Sequence, residues 1–337
     1  MIIQYHRIMR IRRSSLISPA RGQYFHVTSR VVDKRFIFGD EEKEYFLRIM
    51  RRYEAFSGVQ VLSYCLMSNH FHLLIYVPPR PEVIPEKEVL SRMKSLYGKE
   101  QMSEFLEYLE TLEGELLLPV REAFLNRFRE RMYNLSHFAR ELKLRFSKYY
   151  NGRHDRKGTL WEERFKSCLV EGHENALMNT AAYIELNPVR AGIVNDPSDY
   201  RWCSYTEAQS GNKNARMGII RLASGRNTEL KYRDSIKRYR SFFEFKSAAQ
   251  SESRRGMNSE HESKSIDSGV SAPSEEMGKF LSRVRYFTDG VVLGSKEFIE
   301  EWYKKNVSTL NRNRKRISNK IKNTSMEQIH TYRKVDL

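Results

Sequence analysis

The chain has 337 residues, 40% of them hydrophobic and 12% aromatic, which is enough for one or two domains with a substantial core. Its 59 Lys and Arg outnumber 42 Asp and Glu, a formal net charge of +17 that favours nucleic acid as a partner, although a basic protein without such a partner stays open. The three cysteines, an odd number without a CxxC pair, fit a reducing cytoplasm and support no disulfide framework or zinc knuckle, and no apolar run reaches the ~18 residues of a membrane span.

The N-terminal third of the chain alternates between predicted strands and one predicted helix. We interpret residues 1–20 as a basic arm rather than a transit peptide, since this Arg-rich segment lacks an apolar signal core. The aromatic and β-branched pattern of 23–32 predicts a strand, and the spacing of apolar residues predicts a helix over 40–58. Residues 59–67 and 70–77 then predict an antiparallel hairpin around a two-residue turn.

The middle of the chain predicts an insertion, a long helix and the last strand of a sheet. After a proline-rich break, the acidic stretch 86–119 predicts helices, which we interpret as an insertion or a lid, and an apolar stripe predicts one long helix over 121–151. A basic loop, a strand over 164–172 and a helix over 173–187 follow. The order βαββαβ predicts an α+β fold, a ferredoxin-like split βαβ with an antiparallel sheet and helices on one face.

Three further segments follow the predicted domain, which spans 21–206. Residues 207–245 predict a helical or irregular extension. The Ser- and Glu-rich stretch 246–275 has almost no large apolar residue, so it predicts a disordered linker. Residues 276–337 predict a small basic C-terminal element, with a basic run at 311–322.

The third predicted strand, "NHFHLLIYV", carries two histidines one residue apart, His70 and His72. Because side chains alternate along a strand, both imidazoles share one face while Phe71 points to the other. This spacing suits two ligands of one metal ion, but two half-buried histidines bonded to the backbone fit the same pattern. A metal site therefore needs further residues.

The last predicted helix offers a tyrosine and an amide four residues apart. Tyr183 and Asn187, in "AAYIELNPVRAG", lie on one helical face and, in this topology, near the histidine strand. Alternatively, Tyr183 is a core aromatic and Asn187 a partner of the turn at Pro188. Tyr149 and Tyr150 are rivals of Tyr183 as a candidate nucleophile, because they also follow a long helix. Their segment, "KYYNGRH", fits a corner that contacts the DNA backbone better than it fits a nucleophilic site.

The sequence also predicts where two side chains near these motifs lie. His26, on the first strand, is expected to be a strand surface residue rather than a neighbour of the metal ligands. Glu185 is expected to point away from the Tyr183 face and into solvent.

Together, the histidines, the amide and the tyrosine fit metal-assisted cleavage of a phosphodiester. Two neutral histidines and an amide oxygen form a mixed set of nitrogen and oxygen ligands that suits Mg²⁺ or Mn²⁺. Tyrosine is a poor nucleophile because its pKa is about 10, and a metal that polarises the phosphodiester lowers the nucleophilicity required. Attack by tyrosine gives a covalent phosphotyrosine, which stores the bond for rejoining. The set therefore favours breaking and rejoining DNA over degrading it.

Four segments in this order resemble a known family. The stretches "YFHVTSR", "YCLMSNHFHLLI", "GTLWEERFKSCLV" and "YIELNPVRAGIV" are similar to the REP-associated tyrosine transposases, a branch of the single-tyrosine HUH transposases with an IS200-like domain. The resemblance implies a metal-dependent single-strand DNA endonuclease and strand transferase that recognises hairpins. It implies His70 and His72 as metal ligands, Asn187 as the third ligand, and Tyr183 as the nucleophile that takes the 5′ phosphate.

DNA contacts are expected mainly from the basic loop between the long helix and the fourth strand, where phosphate contacts and aromatic stacking would bind a single strand. The expected residues are Arg30, Arg153, Arg156, Lys157, Arg164 and Lys166, with Trp161 for base stacking. Ordinary solvated cations and a core tryptophan are the alternatives.

Two other functions remain open on the sequence. One is a non-catalytic nucleic-acid-binding protein on the same fold, and the other is a metal hydrolase that uses the two histidines and water. A monomer and a homodimer both fit, as does an active site formed within one chain or between two.

Overall fold

A computed structural model describes residues 21–224, 230–241, 287, 290–306, 319–320 and 329–333. The predicted N-terminal arm and the predicted linker lie outside the described residues, as does most of the predicted basic run. Within the described part, no helix is long and apolar enough to cross a membrane.

The structure contains strands and helices in the predicted alternation. The strands are β1 (Gln23–Arg30), β2 (Gln60–Leu66), β3 (His70–Val77), β4 (Lys166–Val170), β5 (Gly290–Gly294), β6 (Asn319–Lys320) and β7 (His330–Arg333). The helices are α1 (Asp40–Ser57), α2 (Glu86–Met93), α3 (Lys99–Glu110), α4 (Leu118–Arg129), α5 (Leu135–Arg153), α6 (Glu174–Glu185), α7 (Asn187–Arg190), α8 (Ser204–Gln209), α9 (Lys213–Ser224), α10 (232–241) and α11 (Lys296–Asn306). Short 3₁₀ turns lie at Val32–Lys34, Glu115–Leu117 and Pro197–Asp199.

One sheet runs through the molecule in the order β2-β3-β1-β4-β5-β7-β6. β3 lies between β1 and β2 and is antiparallel to both, and β4 is antiparallel to β1. This is the strand order of a split βαβ unit, so the predicted α+β class is confirmed. β5 pairs in parallel with β4, so the described C-terminal strands continue the same sheet.

Helices cover both faces of this sheet, whereas the sequence predicted them on one. Phe71 contacts Phe46 of α1, and Phe46 in turn contacts Phe146 of α5. His72, the next residue of β3, points to the other face and meets Tyr183 of α6. α9 packs beside α6, and Gly218 lets it approach the β2 backbone at Leu62 more closely than a side chain would allow. The sheet therefore has a helical layer on each side.

The predicted long helix over 121–151 is two helices, α4 and α5. The chain turns at Tyr133, which has a positive φ of 52° and whose backbone N–H donates to the Ser57 carbonyl at 2.7 Å. The Asn134 side chain then accepts hydrogen bonds from the backbone N–H groups of Ser136 and His137, which caps α5. The apolar stripe continues through the break, so periodicity alone did not reveal it.

The predicted insertion is helical and has a hydrophobic cluster of its own. α2, α3 and α4 pack together with the end of α1, apart from the main core. The buried members of this cluster are Phe56, Ile84, Val89, Met93, Met102, Leu109, Leu125, Phe128 and Met132. A role of these helices as a lid stays a prediction.

Glu185 is buried, which corrects the expectation that it is solvated. It is fully enclosed and accepts hydrogen bonds from the hydroxyls of Ser63, Ser204 and Tyr239. Burial raises its pKa to about 7, although hydrogen bonds to the carboxylate oppose this shift. Glu185 therefore ties α6 to β2, α8 and α10, and is largely protonated in mildly acidic solution.

The buried carboxyl predicts a specific dependence of stability on pH. The folded chain keeps the Glu185 proton up to about pH 7, while an unfolded chain releases it near 4.5, so the free energy of unfolding contributed by this group falls as pH rises between these values. We expect the difference in unfolding free energy between the wild type and Glu185→Gln to change by about 3 kcal/mol from pH 4.5 to 8. Urea titrations across this range measure it, and the exposed Glu104→Gln serves as the control. Identical pH profiles for the wild type and Glu185→Gln would contradict the assignment.

Candidate functional site

Both histidines of the predicted motif project from one face of β3, which lies between β2 and β1 in the sheet. In the cross-strand register, His70 lies opposite Arg30 and His72 opposite Thr28, both on β1. The His72 side chain is buried and that of His70 is half-buried. Their ring centroids are 5.1 Å apart with the ring planes nearly perpendicular. His70 and His72 therefore share one face of the strand, as the sequence predicted.

A chain of hydrogen bonds orients His72 through His26. The Nδ1 atom of His26 lies 3.0 Å from the carbonyl oxygen of Phe287, so this nitrogen carries the proton and donates. The Nε2 atom of a neutral His26 is then an acceptor, and it receives the Nδ1–H of His72 at 2.9 Å. This leaves the Nε2 atom of His72 with a lone pair. His26 is 2% exposed, so the expectation of a strand surface residue is wrong.

His70 has an orienting partner of its own. Its Nδ1 lies 2.6 Å from the Oδ1 of Asn69, an acceptor, so Nδ1 donates and Nε2 again keeps the lone pair. Both motif histidines thus hold Nδ1 in a hydrogen bond and offer Nε2, which is how ligand histidines are arranged in metal sites.

The three histidines are neutral in ordinary buffers. Burial lowers the pKa of His26 and the pKa of His70 to about 4 each, and it lowers the pKa of His72 well below its ordinary value. The nearby positive charge of Arg190 acts in the same direction on all three. A neutral imidazole is the form that binds a metal ion, so the electrostatics of the site fit two histidine ligands.

A third ligand would have to be an amide or a hydroxyl. In the described part of the chain, no group of three His, Cys, Asp or Glu side chains could hold a metal ion. Asn187 is buried, and its Nδ2 donates to the carbonyl oxygens of Tyr183 and Ile184 at 3.1 Å each. These bonds fix the amide at the end of α6 and leave Oδ1 as the atom suited to a metal. The side chains present therefore suit a metal ion held by two histidines and one amide oxygen. The role of Asn187 as the third ligand stays a prediction.

Tyr183 lies beside the histidines, as the sequence predicted from topology. Its ring is 5.7 Å from that of His72 and 5.8 Å from that of His26, in edge-to-face contact with both. The side chain is 1% exposed. The fold thus brings the predicted nucleophile to the predicted ligands.

The rival tyrosines lie on the other side of the sheet. Tyr149 stacks on Tyr45 of α1 at 3.7 Å between ring centroids, and Tyr150 packs near Phe146 in the layer of α1 and α5. His72 faces the opposite layer. Neither rival is therefore placed to act with the histidine pair.

Phe287 covers the tyrosine, a contact that the sequence did not predict. Its ring stacks on Tyr183 with centroids 4.3 Å apart and planes at 16°, and its carbonyl oxygen is the acceptor for His26. A residue far along the chain thus closes the site and completes its hydrogen-bond chain. No local pattern marks such a contact.

Five of the six expected DNA-binding cations are exposed, namely Arg30, Arg153, Lys157, Arg164 and Lys166. Register places Lys166 of β4 in the same cross-strand row as His72, and Arg30 in the row of His70, so both belong to the histidine face. Arg156 is half-buried and donates to the carbonyl oxygen of Thr159, a contact that stabilises the loop.

Trp161 is a core residue, which corrects its expected role in base stacking. It is 8% exposed and packs against Phe38, Phe71 and Phe146. Its indole N–H donates to the hydroxyl of Ser147 at 2.9 Å. The ring faces the layer of α1 and α5, and a nucleobase has no access to it.

Part of the chain is similar to known transposases. A solved structure of a REP-associated tyrosine transposase bound to a REP hairpin is similar to 60% of this chain and 87% of its own, at 12% identity and a TM-score of 0.35. No curated protein matches the chain. Residues 20–117 match the family model of IS200-like transposases, and this segment contains β1, β2, β3 and both motif histidines. Residues 20–117 are therefore similar to IS200-like transposases.

Proposed function

We propose that this protein is a metal-dependent transposase that nicks and rejoins single-stranded or hairpin DNA, with Tyr183 as the nucleophile. The observation that carries the proposal is the approach of Tyr183 to His72, at 5.7 Å between ring centroids, from elements far apart in sequence. The family match over residues 20–117 supports it, since that segment holds His70 and His72.

The proposed chemistry is an in-line exchange of oxygen atoms at phosphorus. The Tyr183 oxygen bonds to phosphorus, and the bond from phosphorus to the 3′ oxygen breaks. Tyr183 loses its proton and the 3′ oxygen gains one, so the products are a 5′-phosphotyrosine and a free 3′ hydroxyl. Attack by another 3′ hydroxyl reverses the step and rejoins the strand.

The chain's own residues position these reactants. His70 and His72, with Asn187, would hold a divalent ion such as Mg²⁺ or Mn²⁺, which polarises the phosphodiester when it is bound. His26 and Asn69 orient the two imidazoles. Enclosure by the surrounding core excludes water, which favours the tyrosine over hydrolysis.

Cations on the histidine face would bind the DNA backbone. Arg30 and Lys166 are exposed in the two strand rows that contain His70 and His72. The solved transposase that resembles this chain is bound to a REP hairpin, and we propose hairpin or single-stranded DNA as the ligand here. Phosphate contacts of this kind set affinity and register rather than sequence preference.

A non-catalytic DNA-binding protein is the second candidate, because the site is closed. Tyr183 is 1% exposed beneath Phe287, which is what a disused active site would also look like. A metal hydrolase that uses water is the third, and it would release free 5′ phosphates. Covalent-adduct assays distinguish the three.

The nucleophile is tested by removing one oxygen atom. We expect Tyr183→Phe to abolish the covalent adduct with a labelled hairpin oligonucleotide in Mn²⁺, since phenylalanine has no group that can attack phosphorus. Binding in gel-shift titrations stays within about threefold because the phosphate-contacting cations are unchanged. Tyr149→Phe is the matched control and keeps wild-type adduct formation. An adduct that survives in Tyr183→Phe would sink the assignment.

The metal site is tested by Mn²⁺ titration followed by electron paramagnetic resonance. We expect His70→Ala to abolish tight binding, since one of two imidazole ligands is lost. His26→Ala should weaken binding by about 10- to 100-fold, because His72 then lacks the acceptor that fixes its proton on Nδ1. His137→Ala on α5 is the control. Unchanged Mn²⁺ affinity in His70→Ala would rule out this ligand set.

The cover over the tyrosine is tested by truncating Phe287. We expect Phe287→Ala to raise the initial rate of adduct formation by about tenfold, because an aromatic stack worth about 1.4 kcal/mol no longer holds the site closed. Phe298→Ala removes a similar side chain from α11 without touching Tyr183, and should leave the rate unchanged. A rate that does not rise in Phe287→Ala would show that Phe287 does not limit access.

A further inference from the structure

Arg190 is an enclosed cation beside the candidate nucleophile. Its guanidinium carbon lies 3.9 Å from the centroid of the Tyr183 ring. Both terminal nitrogens, Nη1 and Nη2, are shielded from solvent and have no hydrogen-bond partner among the described residues. Arg190 ends the short helix α7, three residues after Asn187, so the backbone holds it at this place.

A buried guanidinium without an anion is costly, and a second enclosed arginine of this fold has anionic partners. Arg51 is also enclosed, but it is bound on two sides by the carboxylates of Glu54 and Glu207. These partners raise the pKa of Arg51, whereas burial lowers the pKa of Arg190. Unpaired buried charges cost several kcal/mol. The difference between the two arginines indicates that the anion for Arg190 comes from outside the described residues.

The surroundings of Arg190 indicate which kind of anion this is. Its neighbours on the sheet are the neutral imidazoles of His26, His70 and His72, whose pKa values its charge lowers. Arg30 adds a second positive charge next to His70. A guanidinium binds carboxylates and phosphates alike. The neighbouring tyrosine hydroxyl and the two imidazole nitrogens suited to a metal ion favour a phosphodiester over a carboxylate as the anion here.

We propose that Arg190 binds the scissile phosphate directly, donating from Nη1 and Nη2 to its non-bridging oxygens next to Tyr183. The proposal rests on the proposed function and extends it by one catalytic residue. The planar fork fixes the orientation of the phosphate toward the tyrosine, and its charge stabilises the negative charge of the transition state. Removing one such preorganised donor costs about 10²- to 10³-fold in rate in other enzymes.

The test is a binding cycle that needs no cleavage. We use a series of hairpin oligonucleotides with a single-stranded flank, each carrying one neutral methylphosphonate linkage at a different position. The affinity of each oligonucleotide is measured for the Tyr183→Phe protein. We expect one linkage whose neutralisation weakens binding by about tenfold when Arg190 is present, as one charged hydrogen bond is lost. Adding Arg190→Gln should reduce the effect of that linkage to less than about twofold. Arg164→Gln is the matched control, and should weaken all oligonucleotides alike while the linkage effect persists.

Several results would overturn the proposal. One is a linkage effect that persists in Arg190→Gln, which would assign Arg190 to orienting Tyr183 alone. The absence of any sensitive linkage when Arg190 is present is another. Thermal unfolding establishes whether Arg190→Gln is folded, and Arg190→Lys provides a second variant that keeps the charge without the fork. It should retain part of the linkage effect and lose about 10²-fold in adduct rate when Tyr183 is present.

This cycle is independent of the tyrosine chemistry. If the chain forms no adduct but the linkage effect depends on Arg190, the proposed strand transfer fails while the phosphate site stands. If the chain forms an adduct but the linkage effect is the same with and without Arg190, the proposed function stands and the role of Arg190 fails.

Discussion

The hydrogen bond between His26 and His72 is the interaction on which the candidate site depends. It joins the neighbouring strands β1 and β3 at 2.9 Å and fixes which nitrogen of His72 carries a proton. That assignment follows from Phe287, whose carbonyl oxygen can only accept and therefore makes His26 a donor at Nδ1. One continuous chain of hydrogen bonds, from Phe287 through His26 to His72, thus links three features. They are the pairing of β1 with β3, the tautomer of His72 and the position of Phe287 in the C-terminal part of the chain.

The same arrangement explains why so polar a site can lie inside the core. Neutral imidazoles can be buried when their nitrogens are hydrogen-bonded, whereas charged ones cannot. The low pKa values of the three histidines remove their charge, and the tyrosine presents an aromatic ring to them. Arg190 is the exception, because its charge persists without a carboxylate beside it. The electrostatics of the site are therefore incomplete among the described residues.

Much of the fold could be predicted from the sequence, and the limits have physical causes. Alternation and helical periodicity are local signals, so β3 was predicted residue for residue. The closeness of Tyr183 to His72 followed from strand order. The positions of His26, Glu185 and Trp161 were mispredicted because strand or helix parity gives the direction of a side chain but not what covers it. The contacts of Phe287 were missed because its hydrogen-bond partner, His26, lies 261 residues away in the chain.

The parallel pairing of β5 with β4 has a consequence for how the protein exists in solution. β4 is only five residues long; β1 pairs with it along its whole length, and β5 pairs on the other side with Leu169 and Val170. A chain without the segment around Gly290–Gly294 would expose β4 as an open edge, which is a template for strand addition from a second copy. The C-terminal strands thus cover an edge of the sheet that would otherwise be open to strand addition.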